Sequence, residues 1–238
     1  MQLAVISDLH LGAGDCSDAF GHDDASFLRF LGQLESDFER IVLLGDVWET
    51  LTSARPFDCV GALRAAKEAH PAIARRFLRP CYKYIHGNHD LIAAKVDNAP
   101  EEWSLNVDGL RLVFAHGHHH DWLIRKARWL SEFCVWMGAW ARRLRLDAIY
   151  RIGYCLDSWA TRMPDDLTIG SFQRWALSLA SSRAADIVVT GHTHISAIER
   201  YQQKLFLNSG SCSEGRLSYL AIDTKLHQFD LCETTALA

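Results

Sequence analysis

Carboxylate, imidazole and amide side chains are gathered in five short motifs along the chain. The motifs are Asp8-Leu9-His10, Gly45-Asp46-Val47-Trp48-Glu49, Gly87-Asn88-His89-Asp90, His116-Gly117-His118 and Gly191-His192-Thr193-His194. Oxygen and imidazole donors without a thiolate suit divalent ions such as Mn, Fe or Zn. Each motif alone has an ordinary explanation, because Gly-Asp ends many strands and a buried His is often a core residue. Five of them in this order predict a divalent-metal site.

Each motif directly follows a short apolar run that reads as a buried strand. These runs are Gln2–Ser7, Ile41–Leu44, Tyr82–Ile85, Leu110–Ala115 and Ile187–Thr190. In open α/β sheets, ligands bind at the carboxyl ends of the strands, where the loops converge. We therefore expect the five motifs to meet at one edge of the fold.

The remaining pattern predicts an α/β protein with two mixed β-sheets packed as a sandwich and flanked by helices. Apolar residues at helical spacing predict helices over Asp24–Phe38, Cys59–His70 and Pro71–Arg79. Further strands are predicted at Trp103–Val107, Leu205–Leu207, Leu217–Ile222 and Leu226–Leu231. No linker divides the sequence, so residues 1–238 are expected to form one domain.

Composition narrows the class of protein. The 25 Lys and Arg against 29 Asp and Glu give a net charge of −4, which argues against general coating of nucleic acid. The seven Cys include no Cys-x-x-Cys pair, as expected for reduced thiols. A strand beginning at Gln2 leaves no room for a signal peptide, and no stretch is apolar enough to span a membrane. We expect a soluble, cytoplasmic protein.

The motifs resemble the signature of the calcineurin-like metallophosphoesterase superfamily, which is DxH, GDxx[DE], GN[HR][DE], H and GHxH. The later run Asn208-Ser209-Gly210-Ser211 also resembles that family. The resemblance implies a phosphoesterase with two divalent metals, Mn being favoured over Fe or Zn. It implies that the first metal is held by Asp8, His10, Asp46 and His194. It implies that Asp46 bridges to a second metal, held also by Asn88, His116 and His192.

The family mechanism uses hydroxide between the two metals as the nucleophile, which leaves the protein to position the phosphate and the leaving group. His89 is then expected to hydrogen-bond the phosphate and protonate the leaving oxygen, with Asp90 fixing its tautomer. Glu49 is expected to brace the site, although an unrelated salt bridge would explain it too.

Only one His is needed between positions 116 and 120. His116 follows the strand directly and is the expected ligand, with His118 as the alternative. His119 and His120 are expected beside the ligands or in solvent, and His86 in a structural role.

A long helical insertion is predicted at about residues 121–183. His116 and His192 lie 76 positions apart, whereas a single crossover helix needs roughly 25–30 residues. Trp122, Trp129 and Trp136 recur every seven residues, and the segment from Trp122 to Arg174 carries a net charge of +4. Such a stripe ordinarily packs against another helix. A basic, Trp-rich cap over a phosphoesterase site would also suit an amphiphilic phosphate.

Within the superfamily, the UDP-2,3-diacylglucosamine pyrophosphatases carry a helical cap at this point and resemble this chain in DLHL, GDVWE and GHTH. They usually have Arg at the position of His89 and Asp at that of His118. The expected partner is therefore a phosphorylated small molecule or lipid-linked nucleotide, with peripheral membrane contact through the cap.

A phosphodiesterase, nuclease or general phosphatase on the same site is the alternative. A nuclease would need a wide basic track, which the net charge does not supply. A binding module without activity is disfavoured, since every ligand position is filled.

Overall fold

Ten strands form two five-stranded sheets in the computed structural model, which describes residues 1–146 and 170–235. The strands are β1 Gln2–Ile6, β2 Arg40–Leu44, β3 Tyr82–Ile85, β4 Glu102–Val107, β5 Leu110–Ala115, β6 Ile187–Thr190, β7 Ala197–Tyr201, β8 Lys204–Asn208, β9 Arg216–Asp223 and β10 Gln228–Thr235. The helices are α1 Asp24–Asp37, α2 Cys59–Ala69, α3 Pro71–Phe77, α4 Ala93–Val96, α5 Trp122–Arg143 and α6 Ser171–Ser182, and a 3-10 turn covers His118–His120.

Both sheets are mixed. The first has the order β10-β9-β1-β2-β3 and the second β4-β5-β6-β8-β7. The strands β1, β2 and β3 run parallel, as do β5, β6 and β8. Their carboxyl ends therefore lie along one edge of each sheet. The predicted fold class, a sandwich of two mixed sheets with helices, is confirmed.

Successive side chains of β1 alternate between two apolar clusters, which hold the first sheet to the second sheet on one face and to the helices on the other. Leu3 and Val5 belong to the apolar cluster shared with the second sheet, whereas Ala4 and Ile6 belong to the cluster shared with the helices. Successive side chains of a strand point to opposite faces, so a strand with both faces buried reads as a continuous apolar run. This is why β1 is apolar from Leu3 to Ile6.

Helix α1 covers the outer face of the first sheet. Its buried residues are Phe27, Phe30, Leu31 and Leu34, the i, i+3, i+4 spacing that forms one apolar stripe. The Asp23 carboxylate caps the helix by accepting a hydrogen bond from the Ser26 amide at 2.9 Å.

Helix α6 packs on the outer face of the second sheet. Ala176 and Ala180 are fully buried in a cluster with Val113, Val188 and Phe206 of that sheet. The expected insertion at about 121–183 thus includes, at its carboxyl end, a helix that covers the sandwich itself. The segment 147–169, with Trp159, lies outside the described residues.

Candidate active site

The motif residues lie directly after the strands of both sheets, and their side chains meet in one region. Asp8 and His10 follow β1, Asp46 follows β2, and Asn88 and His89 follow β3. His116 follows β5, and His192 and His194 follow β6. Two clusters consist of predicted ligands alone, with metal-binding atoms within 4.8 Å of one another: Asp8, His10 and His194, and Asp46, His116 and His192. A third group of this kind joins the ligand His10 to Glu49 and His89.

Five of these residues adopt left-handed backbone conformations. The φ angles are 54° at Asp8, 50° at His10, 49° at Asp46, 69° at His192 and 57° at His194. A residue with a Cβ pays a conformational cost in this region, and such residues cluster at functional sites. The turns after β1, β2 and β6 therefore have a strained backbone, and this backbone places the predicted ligand side chains at the site.

The two clusters are adjacent. Within them, Asp8 Oδ1 lies 3.2 Å from His194 Nε2, and Asp46 Oδ2 lies 3.2 Å from His116 Nε2. Between them, His116 Nε2 lies 3.9 Å from Asp8 Oδ1. The six groups thus form one continuous constellation with two centres.

Three buried atoms of the predicted ligands form no hydrogen bond within the described part of the chain: Asp8 Oδ1, Asn88 Oδ1 and His116 Nε2. Buried polar atoms are ordinarily paired, because leaving one unpaired costs about 1–3 kcal/mol. Carboxylate, amide and imidazole atoms are also the donors that borderline divalent ions bind. The residues therefore fit the divalent cations that the motifs predict.

Hydrogen bonds with neighbouring backbone groups and with Ser7 engage one polar atom of each of three ligands and leave the other atom free to face a cation. Asp8 Oδ2 accepts from the Ser7 hydroxyl at 2.5 Å and from the His192 amide at 3.1 Å. Asp46 Oδ1 accepts from the His89 amide at 2.8 Å. His116 Nδ1 lies 2.9 Å from the Leu44 carbonyl, to which it donates when Nδ1 carries the proton. The opposite atoms, Asp8 Oδ1, Asp46 Oδ2 and His116 Nε2, are then left for a cation.

The charges of the ligands follow from burial and from one another. Burial would raise the pKa of Asp8, but His194 and His116 lower it to about 2. Burial, with His116 nearby, lowers the pKa of His192 to about 3. Asp8 is therefore ionised and His192 neutral near pH 7, which are the forms that bind metals. Burial opposes a charge on His116, but Asp46 and Asp8 raise its pKa to about 9, so a cation would have to displace a proton from this ring.

Glu49 connects His89 to the ligand His10. Its Oε2 lies 2.8 Å from His89 Nδ1 and 3.4 Å from His10 Nδ1. Burial opposes the positive charge on His89, but Glu49 and Asp46 raise its pKa to about 10. Glu49 is thus placed to brace the site, as expected.

Asp90 does not orient His89, contrary to the expectation. Its carboxylate is fully buried and accepts from the amides of Gly87 at 2.6 Å and Val47 at 2.7 Å, and from the Tyr84 hydroxyl at 2.6 Å. These bonds join the turns after β2 and β3. Asp90 therefore organises the backbone that carries Asp46 and Asn88, and Glu49 is the partner of His89.

His116, rather than the alternative His118, lies in a cluster of predicted ligands. His118 is buried, and its ring centre lies 5.8 Å from that of His116 and 4.0 Å from that of His119. His119 pairs with Glu101 at 2.8 Å, and His120 Nε2 lies 3.1 Å from the Ser171 hydroxyl. Neither belongs to a candidate metal group among the described residues.

Two glycines permit the close approach of these groups. A Cβ on Gly45 would lie 2.4 Å from the His116 ring, and φ at Gly45 is 83°. A Cβ on Gly87 would lie 2.1 Å from Asp46 Oδ1. Any larger residue at either position would displace a predicted ligand.

Helix α5 contacts the loops that follow β1 and β2. Its backbone is interrupted at Ala127, where φ is −141° and ψ is 47°. Beyond the interruption, Arg143 pairs with Asp15 at 2.6 Å, and the Trp136 indole donates to the Ser53 carbonyl at 3.1 Å. Trp129 is 66% exposed. Part of the predicted Trp stripe is thus packed and part faces outward.

The family model for calcineurin-like phosphoesterases matches residues 1–196, a range that includes all seven predicted metal ligands. This chain belongs to that family. A calcineurin-like phosphoesterase is a metal-dependent hydrolase of phosphoesters, which agrees with the buried ligand atoms that lack a hydrogen bond at the centre.

Two curated relatives of this phosphoesterase have the same name. UDP-2,3-diacylglucosamine hydrolase of Serratia proteamaculans (strain 568) is 31% identical over 125 residues, covering 49% of this chain and 48% of the relative. The enzyme of that name from Ralstonia nicotianae (strain ATCC BAA-1114 / GMI1000) is 30% identical over 146 residues, covering 59% and 52%. The chain thus spans about half the length of these relatives.

A solved structure described as a novel archaeal phosphodiesterase has the same fold. It superposes with a TM-score of 0.50 at 15% identity, covering 98% of this chain and all of the other.

Among the described residues, no helix is both long and apolar enough to cross a membrane.

Proposed function

We propose that this phosphoesterase uses two divalent cations to hydrolyse a phosphate ester or pyrophosphate bond in a lipid-linked nucleotide such as UDP-2,3-diacylglucosamine. The observation that carries the two-cation site is the pair of adjacent clusters, with His116 Nε2 3.2 Å from Asp46 and 3.9 Å from Asp8. Asp8, His10 and His194 hold one cation, and Asn88, His116 and His192 the other, with Asp46 between them. Mn²⁺ is the preferred ion.

The protein's own groups have separate tasks in this proposal. Bound divalent cations supply charge neutralisation for the phosphoryl oxygens and activate water as the nucleophile. His89 donates a hydrogen bond to the phosphate and a proton to the leaving oxygen. Glu49 accepts a hydrogen bond from His89 Nδ1 and holds the ring as an imidazolium, so that the proton on Nε2 is available for the phosphate and the leaving oxygen.

The lipid-linked substrate is supported by the cap and by the two relatives. Helix α5 begins six residues after His116 and exposes Trp122 and Trp129 beside Arg125 and Lys126. An apolar ring surface next to basic groups suits an acylated phosphate, or the surface of the membrane that contains it. The relatives' name specifies such a substrate. We therefore propose peripheral membrane contact through α5 at the cytoplasmic face.

Replacing the shared ligand tests the metal centre. Asp46→Ala should lose bound metal and essentially all hydrolysis while remaining folded, whereas Asp230→Ala, an exposed carboxylate on β10, should keep both. Metal content by elemental analysis and folding by circular dichroism are the measurements. Wild-type turnover by Asp46→Ala after chelation and re-metallation would refute the assignment.

A substrate comparison with the Mn²⁺-loaded protein tests the specificity. We expect kcat/KM to be highest for UDP-2,3-diacylglucosamine and much lower for UDP-N-acetylglucosamine, which lacks long acyl chains, and for nitrophenyl phosphate and bis-nitrophenyl phosphate. Faster turnover of the diester than of the acylated nucleotide would favour a phosphodiesterase instead.

A further inference from the structure

Asn208, at the end of β8, is a buried side chain whose amide nitrogen and oxygen both form hydrogen bonds. It is 1% exposed. Its Nδ2 has two N–H hydrogens and lies within hydrogen-bond distance of three acceptors, so that one hydrogen is shared: the Gly191 carbonyl at 2.8 Å, Thr190 Oγ1 at 3.1 Å and Thr193 Oγ1 at 3.2 Å. Its Oδ1 accepts from the Gly210 amide at 3.0 Å. Asn208 also lies beyond residues 1–196, the range of the family match.

The orientation of this amide is fixed by its partners. The Gly191 carbonyl can only accept a hydrogen bond, and the Gly210 amide can only donate one, so Nδ2 and Oδ1 cannot be exchanged. The side chain therefore joins the end of β6 to the turn that follows β8 in one defined way.

The segment joined to β8 in this way is the turn from Gly191 to His194. His192 and His194 both have left-handed backbones there, with φ of 69° and 57°. His192 belongs to the cluster with Asp46 and His116, and His194 to the cluster with Asp8 and His10. The bonds from Asn208 flank His192 at Gly191 and Thr193, and Thr193 directly precedes His194. One buried amide thus supports a ligand of each cluster.

We propose that Asn208 is a positioning residue for both cations, acting through Gly191 and Thr193 on His192 and His194. This inference rests on the two-cation site proposed above. Groups that orient metal ligands in this way typically change metal affinity by about 10–100-fold when they are replaced. Because the two histidines serve different centres, both affinities should fall, whereas loss of a single ligand weakens one centre most.

The distinguishing variant is Asn208→Asp, which keeps the size of the side chain and removes the amide donors. Facing Gly191, it would place a carboxylate oxygen against a carbonyl oxygen, so the turn would lose its support. Asn106→Asp is the matched control, because Asn106 is an exposed residue of β4. His194→Ala is the comparison for the loss of one ligand.

The measurements are Mn²⁺ binding by isothermal titration to the chelator-treated full chain, and the thermal midpoint with and without Mn²⁺. We expect Asn208→Asp to weaken both binding steps by about 10–100-fold and to reduce the rise in midpoint that Mn²⁺ produces. His194→Ala should weaken chiefly one step, and Asn106→Asp neither. Equal Mn²⁺ affinities in Asn208→Asp and wild type, even with a lower midpoint for the metal-free protein, would show that Asn208 is only structural.

Thr193→Val provides a second test that holds if Asn208→Asp does not fold. It removes one acceptor of the Asn208 amide, so it should weaken Mn²⁺ binding less but in the same direction, and Thr193→Ser should restore it. Unchanged binding in Thr193→Val, when Asn208→Asp cannot be folded, would overturn the inference. If the wild-type chain itself binds fewer than two cations, the two-cation proposal fails and this inference fails with it.

Discussion

Glu49 Oε2 lies 2.8 Å from His89 Nδ1, so one carboxylate sets the orientation of the imidazole that faces the proposed phosphate position. The same oxygen is 3.4 Å from Nδ1 of His10. Glu49 is itself held by the Leu51 amide, which donates to Oε1 at 2.8 Å. The Nε2 atoms of both rings are thereby left for other partners, a cation at His10 and the substrate at His89.

The first prediction follows from this arrangement. His89→Ala should lower kcat by about 10²–10⁴-fold, the usual contribution of a general acid, and should keep both metals. The loss should be smaller for nitrophenyl phosphate, because its leaving group departs without a proton. Glu49→Gln should reduce kcat in the same substrate-dependent way but by less, since an amide oxygen still accepts from Nδ1.

Steady-state kinetics with leaving groups of different pKa, together with elemental analysis, measure these effects. Glu68→Gln on α2, an exposed carboxylate, is the control. If His89→Ala loses one equivalent of metal, His89 is a ligand rather than an acid.

The second prediction separates two tryptophans of the cap. Trp129 is 66% exposed, while Trp136 is half-buried, stacks on Phe133 at 5.7 Å and donates to the Ser53 carbonyl. Trp129→Ala should raise KM for UDP-2,3-diacylglucosamine and leave hydrolysis of nitrophenyl phosphate unchanged. Trp136→Ala should instead destabilise the protein by about 1–3 kcal/mol, as expected for truncating a partly buried ring.

Kinetics on both substrates and urea unfolding distinguish these outcomes. Leu78→Ala is the matched control, since Leu78 is 81% exposed and lies outside the cap. Equal losses on both substrates for Trp129→Ala would mean that its ring only packs.

The third prediction concerns the ion pair that joins α5 to the loop after β1. Arg143 contacts Asp15 at 2.6 and 3.0 Å with two guanidinium nitrogens, and Asp15 lies only five residues after His10. A double-mutant cycle with Arg143→Ala and Asp15→Ala should give a coupling free energy of about 1 kcal/mol at low salt. It should shrink as salt screens the charges.

The pair Arg128 and Glu132, within one helix, is the comparison and should couple by about 0.3–0.5 kcal/mol. Additive effects of Arg143→Ala and Asp15→Ala would show that the pair does not hold the cap.

The fourth prediction is a pH dependence of stability from Glu35. Its carboxylate accepts from Arg76 Nε at 2.6 Å and Nη2 at 2.7 Å, and from the Tyr82 hydroxyl at 2.7 Å. The Arg76 hydrogen bonds hold the pKa of Glu35 below its usual value of 4.5. A carboxyl whose pKa is lower in the folded state stabilises that state above the unfolded pKa. This stabilisation is lost as the pH falls through the folded pKa.

Urea unfolding of the chelated protein from pH 7 down to about pH 3 measures the effect. Glu35→Gln should reduce the free energy of unfolding near neutral pH and give a flatter profile in acid. Parallel profiles of variant and wild type would show that Glu35 does not contribute in this way.

The strands and the candidate site could be predicted because both depend on local sequence signals. An apolar run ended by Gly and a polar residue marks a buried strand and its carboxyl end, so β3 and β6 agree with the predicted boundaries. The edge strand β7 was not predicted, because its residues alternate between half-buried and exposed and carry Glu199 and Arg200. The last strand was predicted to begin at Leu226, but it begins at Gln228. Leu226 lies in the turn between β9 and β10, where it is 67% exposed.

What could not be predicted is which side chains meet across the fold. Adjacency in sequence suggested Asp90 as the partner of His89, but Asp90 bonds to Gly87, Val47 and Tyr84. The partner of His89 is Glu49, which comes from the loop after β2. Ser7 gave no signal either, since a serine before a strand end is common, yet it donates to Asp8. The seven-residue spacing of the tryptophans could not reveal the interruption at Ala127, which divides α5.

Each candidate cluster takes its groups from both sheets. Asp8 and His10 come from the first sheet and His194 from the second, and Asp46 is likewise joined by His116 and His192. A bound cation would therefore link the two layers non-covalently and close a loop between residues 8 and 194 in one cluster, and between residues 46 and 192 in the other. Chelation should release this cross-link at one end of the sandwich only. In hydrogen exchange, amides at the carboxyl ends of β5 and β6 should then lose protection before those at the opposite ends of the same strands.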